Sequence, residues 1–152
     1  MAKKIDPYFQ NVNFHFAVDL GKEANSEDAR FQSVSGLDST LETETIKEGG
    51  VNGFEHVVPV RRKYGPLILK RGVMIPSKSG ITKWLKRVFD HEKVEPIPIV
   101  TIRLLDEEQQ PIMFWQLENV WPRGWKMGDL DAMRGEVLIE TLELNYNRLI
   151  LT

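Results

Sequence analysis

The sequence predicts a mainly β domain, either a barrel or two packed sheets, with a single helix inserted among the strands. Three observations carry that prediction. In residues 12–20, VNFHFAVDL, the side chains of Val12, Phe14, Phe16, Val18 and Leu20 alternate with Asn13, His15, Ala17 and Asp19, which is the two-residue period of a half-buried strand. The same period returns over residues 136–151, EVLIETLELNYNRLIL. Only residues 79–90 show convincing helical spacing, with Ile81, Trp84, Leu85 and Val88 on one stripe and Lys83, Lys86 and Arg87 on the other face; Ser79 stands where it can cap the first turn.

The remaining elements follow in order. Residues 21–29, GKEANSEDA, are polar and read as a loop. Residues 30–37, RFQSVSGL, form a second strand closing on Gly36, and residues 41–48, LETETIKE, a third whose one face carries Glu42, Glu44 and Glu48. Residues 49–66, GGVNGFEHVVPVRRKYGP, hold four glycines and two prolines. They read as a connection of roughly fifteen residues, a length usually reserved for function. A strand at residues 67–73, LILKRGV, precedes the helix, which HEKVEPIP ends because its two prolines cannot continue it. Residues 97–106 and 112–120 are two strands joined by EEQQP, a plausible hairpin. Residues 121–135, WPRGWKMGDLDAMRG, read as a Gly/Pro/Trp-rich connection before the long last strand. The sum is about seven strands and one helix in a single domain over residues 1–152, with no internal repeat and no low-complexity stretch.

Composition narrows the function classes. The chain has 152 residues, 41% hydrophobic and 28% charged, and no cysteine, so disulfides, thiolate nucleophiles and cysteine-ligated metals are excluded. Twenty Lys and Arg against 22 Asp and Glu leave a formal charge of −2, which exerts no global pull on nucleic acid or an anionic membrane. The opening MAKKIDPYF has two lysines but no apolar run after them, so no signal peptide is expected. No stretch approaches the ~18 apolar residues of a spanning helix; a chain soluble when made is expected.

The search for chemistry comes back nearly empty. His15, His56 and His91 are the only histidines, and none has the spacing of a metal site. Asp129 and Asp131 form a D-L-D pair, a pattern that turns before strands use far more often than catalysis does. Ser35 lacks a nucleophile elbow, and GGVNG lacks the Lys-Ser/Thr ending of a phosphate loop. The run Arg61, Arg62, Lys63 suits a solvated or partner-facing loop better than phosphate, given the balanced charge, and Lys70 and Arg71 form a second short basic pair. Trp84 and Trp115 lie on apolar faces and read as packing rather than base stacking. That result lowers the expectation of an enzyme without proving inactivity, since sites assemble in space; a stand-alone β-barrel module binding a small ligand or carbohydrate, and a hydrolase of unrecognised type, stay open as alternatives to a structural role.

Two strands suggest a use for their outer faces. In residues 41–48 the glutamates make one face acidic. In the last strand Ile139, Thr141, Glu143, Asn145 and Asn147 oppose a face of Leu138, Leu142, Leu144 and Tyr146 with Glu140 among them. A sheet with one apolar and one polar face can line a wet channel, and several copies in a ring would enclose one. An ordinary exposed sheet face explains the pattern equally well.

The motifs, in order, are D-P-Y-F at Asp6 to Phe9, F-x-x-V-S-G-L at Phe31 to Leu37, the acidic strand with Glu42 and Glu44, and G-G-x-N at Gly49 to Asn52. L-x-L-K-R-G follows at Leu67 to Gly72, then the Trp84 helix, F-W-Q-L-E-N-V-W-P at Phe114 to Pro122, D-x-D-A-M at Asp129 to Met133 and I-E-T-L-E-L at Ile139 to Leu144. In that order the chain resembles the tail tube proteins of contractile phage tails and extracellular contractile injection systems, a group that includes tube-initiator and adaptor paralogues. The resemblance implies a β-barrel-like sandwich with one helix, six copies forming a ring through joined sheets, and rings stacking into a tube inside a contractile sheath. It implies assembly in the bacterial or archaeal cytoplasm and sheath and baseplate or spike proteins as partners. Cargo or DNA would pass through the lumen without sequence-specific binding, and no cofactor would be needed. In that frame Gly49, Gly50, Asn52, Arg61, Arg62 and Lys63 are candidates for a ring-stacking loop. Glu42, Glu44, Thr141, Glu143 and Asn145 are candidates for a polar, acidic lumen face.

Overall fold

The computed structural model describes residues 15–24, 28, 30–47, 49–50 and 53–152. Its elements are β1 (Phe16–Asp19), β2 (Ser33–Ser35), β3 (Ser39–Ile46), β4 (His56–Tyr64), β5 (Leu67–Gly72), α1 (Gly80–His91), β6 (Ile97–Leu105), β7 (Pro111–Met127), β8 (Ile139–Asn145) and β9 (Arg148–Leu151). Short 3-10 turns occupy Gly21–Glu23 and Pro76–Lys78. The mainly β class with one α-helix stands.

Seven strands form one sheet in the order β1-β6-β7-β8-β5-β2, with β9 also paired to β7. All pairings are antiparallel. The 17-residue β7 organises it. Its first half pairs β6 from Leu105↔Pro111 to Ile97↔Val120 and takes β9 along Trp115–Glu118. Its second half pairs β8 from Trp121↔Asn145 to Met127↔Glu140. Between the halves Asn119 has φ 55° and the register slips between Pro122 and Gly124, leaving Arg123 as an extra residue, the mark of a bulge that bends a strand. The sheet thus has two faces of work: β1, β6, β9 and the first half of β7 on one side of the bend, and β2, β5, β8 and the second half of β7 on the other.

The inward side chains form one core. Leu67 and Leu69 of β5, Val100 and Ile102 of β6, Leu117 and Val120 of β7, and Leu142 and Leu144 of β8 are buried, and α1 adds Ile81, Trp84, Leu85 and Val88. Each such side chain contributes about 1.5–3 kcal/mol on leaving water. The helix begins as the sequence predicts: Ser79 accepts a hydrogen bond from the Thr82 amide. It ends at Glu92, which has φ 51°. The Trp84 indole donates to the Glu95 carbonyl at 2.7 Å.

Four sequence expectations are corrected. Residues 49–66 are not one long connection, because His56–Tyr64 is strand β4 and pairs with β3 as a separate two-stranded hairpin. Pro59 argues against a strand, but the register shifts there, between Glu42↔Arg61 and Thr43↔Pro59, so the missing N–H falls at a bulge. Residues 121–135 are strand as far as Met127, since Pro122 and Gly124 sit at the β7 bulge. The last strand is two, β8 and β9, separated by Tyr146 and Asn147. The second strand is shorter than residues 30–37 because Gly36 has φ +86° and lies so close to Pro66 that a Cβ would meet its carbonyl oxygen at 2.0 Å. Residues 12–14 and Glu48 lie outside the described residues, as does the D-P-Y-F motif.

Candidate functional site: an open-edged sheet and a free-standing hairpin

Strand alternation divides β8 cleanly. Glu140, Leu142 and Leu144 are buried, while Ile139, Thr141, Glu143 and Asn145 are half-buried on the opposite face. Pairing extends that outer face across four strands. Ser33, Lys70, Thr141 and Lys126 make one row, and Ser35, Ile68, Glu143 and Gly124 the next. The Lys126 ammonium donates to Glu143 at 2.8 Å. That hydrogen bond, with the charges of Lys126 and Arg123, holds the Glu143 carboxyl below the usual carboxylate range. The two flanks of this sheet half, β2 and the second half of β7, pair with no further strand among the described residues.

Behind the face lies a buried polar cluster. Arg71, Glu140 and Asp28 are each 1% exposed or less. The Arg71 guanidinium donates to Glu140, to Asp28 at 2.8 Å, to the Ser79 hydroxyl at 3.0 Å and to the Thr82 hydroxyl at 3.2 Å. Glu140 also accepts from the Trp125 indole at 3.0 Å, and Asp28 from the Gly80 amide at 2.9 Å at the start of α1, where the helix dipole favours an anion. The Phe31 ring lies 5.5 Å from the guanidinium carbon. The cluster ties β5, β8, β7 and the helix N-terminus together, and with them the position of the outer face. Arg71 and Glu140 carried a signal, since both occupy inward positions of otherwise apolar strands. Asp28 carried none: it sits in a polar segment indistinguishable from a solvated loop.

The hairpin gathers residues that the sequence assigned to two different roles. Glu42 of β3 faces Arg61 of β4 directly and accepts a hydrogen bond from it, with Lys63 at 3.8 Å. Arg61, and behind it Lys63, hold the Glu42 carboxyl below its ordinary range. Glu44 lies opposite Val58, and Arg62 opposite Leu41, its guanidinium 3.4 Å from the Tyr64 hydroxyl. Arg61, Arg62 and Lys63 are therefore strand residues rather than loop residues. Glu42 and Glu44 stand on the hairpin rather than beside Thr141, Glu143 and Asn145. Gly49 and Gly50 lie at the tip, with Gly50 at φ +92° and open space around both; Asn52 falls outside the described residues. Leu41, Val57 and Val60 are more than half exposed on this hairpin, an apolar display that ordinarily marks a contact surface.

The remaining candidates are accounted for locally. Asp131 accepts from the Met133 amide at 2.9 Å and pairs with Arg134, as a turn aspartate does. His15 lies 3.2 Å from the Gln109 amide. Among the described residues no group of His, Asp and Glu is placed to hold a metal ion, and no helix is long and apolar enough to cross a membrane.

Comparisons with known proteins converge. The family model described as T4-like virus tail tube protein gp19 matches residues 12–150. A chain in the cryo-EM structure of the anti-feeding prophage baseplate, 6-fold symmetrised, is 34% identical at a TM-score of 0.81, with 98% of this chain and 97% of that one covered. A chain in the sheath-tube complex of the PVC extracellular contractile injection system in its extended state is 23% identical at a TM-score of 0.79, covering 96% and 93%. The crystal structure of an Hcp protein shares the fold at 8% identity and a TM-score of 0.53, covering 90% of each chain. A search of curated proteins returns no similar sequence.

Proposed function

The chain belongs to the T4-like virus tail tube protein gp19 family, and from that premise we propose that it is a structural subunit of the inner tube of a contractile injection system or phage tail. Six copies join edge to edge into a ring, and rings stack into a tube that works with sheath and baseplate proteins. The role is mechanical and takes no catalytic residue, metal or cofactor. The observation that carries this reading is the sheet half made of β2, β5, β8 and the second half of β7, whose flanks pair with no further strand among the described residues and whose outer face is polar. Unpaired flanks are hazards unless another chain completes them, and a copy of the same chain does so in closed symmetry. Six sets of four strands at about 4.8 Å spacing make a wall about 115 Å around and about 37 Å across, wider once the strands tilt. Thr141, Glu143 and Asn145 then line the bore. The β3–β4 hairpin, with its tip glycines and exposed Leu41, Val57 and Val60, reaches a neighbouring copy and is the stacking element.

The likeness of 34% to a chain of the anti-feeding prophage baseplate, against 23% in the sheath-tube complex, favours a second reading, a tube-initiator or adaptor station at the baseplate end. Negative-stain microscopy of the full-length chain, alone and with its sheath and baseplate proteins, tests both. Rings of six are expected, growing into hollow filaments for a main tube subunit and stopping at one or a few rings for a baseplate-end subunit. A chain that stays monomeric at high concentration and forms no rings beside those partners refutes the proposal.

A further inference from the structure

We propose that the outer face of the β2–β5–β8–β7 sheet is a cationic surface for acidic polypeptide, so that the bore it lines favours acidic protein cargo. The inference rests on the tube reading for the word bore, but its chemistry is written on the sheet. Lys70 and Lys126 both face Thr141 from the strands on either side, which sets their Cα atoms about 10 Å apart. Arg123, the extra residue of the β7 bulge, adds a third cation whose charge reaches Glu143. Glu143 is the one carboxylate on this face among the described strand residues, and Lys126 already binds it at 2.8 Å. Lys70 makes no ion pair among the described residues. Three cations less one carboxylate leave +2 on the face of a chain whose formal charge is −2. Repeated around a closed ring, that excess becomes a band of positive potential inside a low-dielectric wall, where charge acts at longer reach than on an open surface.

The acidic lining that Glu143 suggests in the sequence is thus reversed by its neighbours. Lys126 comes from a segment that reads as a connection, and Lys70 from a strand whose partner is not evident without the register. Polypeptide fits this face better than nucleic acid. Half-buried Ile68, Ile139 and Trp121 stand among the cations, and Glu143 interrupts them. A phosphate backbone asks for a contiguous basic track and a basic domain, whereas an acidic segment with interspersed apolar side chains meets both kinds of residue here.

The test uses the full-length chain with three fluorescent probes, poly-L-glutamate, poly-L-lysine and a single-stranded oligonucleotide, read by anisotropy at low and high salt. Ring formation is scored separately by microscopy. Poly-L-glutamate is expected to bind best, to weaken with salt, and to weaken about tenfold in Lys70→Glu/Lys126→Glu. Lys70→Glu alone, which breaks no ion pair of the described residues, is expected to lose part of that affinity while keeping the wild-type circular dichroism. Equal poly-L-glutamate affinity in wild type and both variants overturns the inference, as does a preference for poly-L-lysine or for the oligonucleotide. Rings without poly-L-glutamate binding overturn this inference alone. Binding that follows the lysines in a protein that forms no rings supports the charge assignment and overturns the tube reading.

Discussion

Replacing Arg71 by methionine removes the only cation that the buried cluster holds among the described residues, while nearly keeping side-chain volume. Four hydrogen bonds go with it, to Glu140, Asp28, Ser79 and Thr82. Asp28 retains the Gly80 amide and the Ser79 hydroxyl, but Glu140 is left with the Trp125 indole alone among the partners named. Breaking a buried pair by removing one partner costs about 3–5 kcal/mol, because a charge is left buried without compensation. For a domain of this size that is a fall of roughly 10 °C in melting temperature. Urea unfolding followed by tryptophan fluorescence reads the change, since Trp125 touches the cluster. Adding Glu140→Gln to Arg71→Met removes the orphaned charge and is expected to recover at least about 1 kcal/mol, a non-additivity that neighbours in one network show. A loss below about 1 kcal/mol for Arg71→Met, or additive effects in the pair, refutes the view that this cluster fixes the sheet to the helix.

Other outcomes follow from named contacts. Tyr146 donates to the Gly65 carbonyl at 2.9 Å and its hydroxyl is pushed up to about 12, first by burial and then by Asp38 and Tyr64. A folded value above the ordinary 10 means its contribution is whole below pH 10 and is lost as the pH climbs through 12, so Tyr146→Phe should remove that alkaline loss in denaturation curves while costing about 1 kcal/mol at neutral pH. Gly36→Ala forces a Cβ toward the Pro66 carbonyl oxygen at a residue with φ +86° and should destabilise by more than about 2 kcal/mol, measured by urea unfolding. Glu42 titrates below the ordinary carboxylate range because of Arg61. Its pairing is therefore complete above the unfolded value and lost as pH falls through the folded one, visible as an acid-shifted side-chain titration by NMR that Arg61→Gln returns toward normal. Removing the hairpin tip by joining Lys47 to Glu55 should leave the circular dichroism intact and stop ring stacking; unchanged stacks by microscopy would contradict the role proposed for the hairpin.

Much of this architecture is legible in the chain, and the illegible parts have physical causes. Helix α1 shows itself because its buried stripe and Ser79 cap are local signals. The division of β8 into a buried and a polar face shows itself because side-chain alternation needs no knowledge of the partner strand. The hairpin and the second half of β7 hide because Pro59, Pro122 and Gly124 are strand breakers in isolation, and only the register reveals that each sits at a bulge. The charge of the outer face hides for a related reason. Glu143 is acidic when its own strand is considered, and becomes a neutralised member of a cationic face only once β5 and β7 are laid beside it. Asp28 is the extreme case, a buried anion fixed by residues up to fifty-three positions away.

The unbroken length of β7 has a mechanical meaning. At about 3.3 Å per residue its 17 residues span about 56 Å, and this single run of covalent backbone crosses from one half of the sheet to the other. A thrust delivered to one half therefore travels to the other through peptide bonds, which scarcely stretch, rather than through side-chain contacts, which slip. The bulge at Arg123 is the one register slip of that run against β8, and the buried Arg71 cluster braces the run farther along, where the Trp125 indole donates to Glu140 and Met127 lies opposite it.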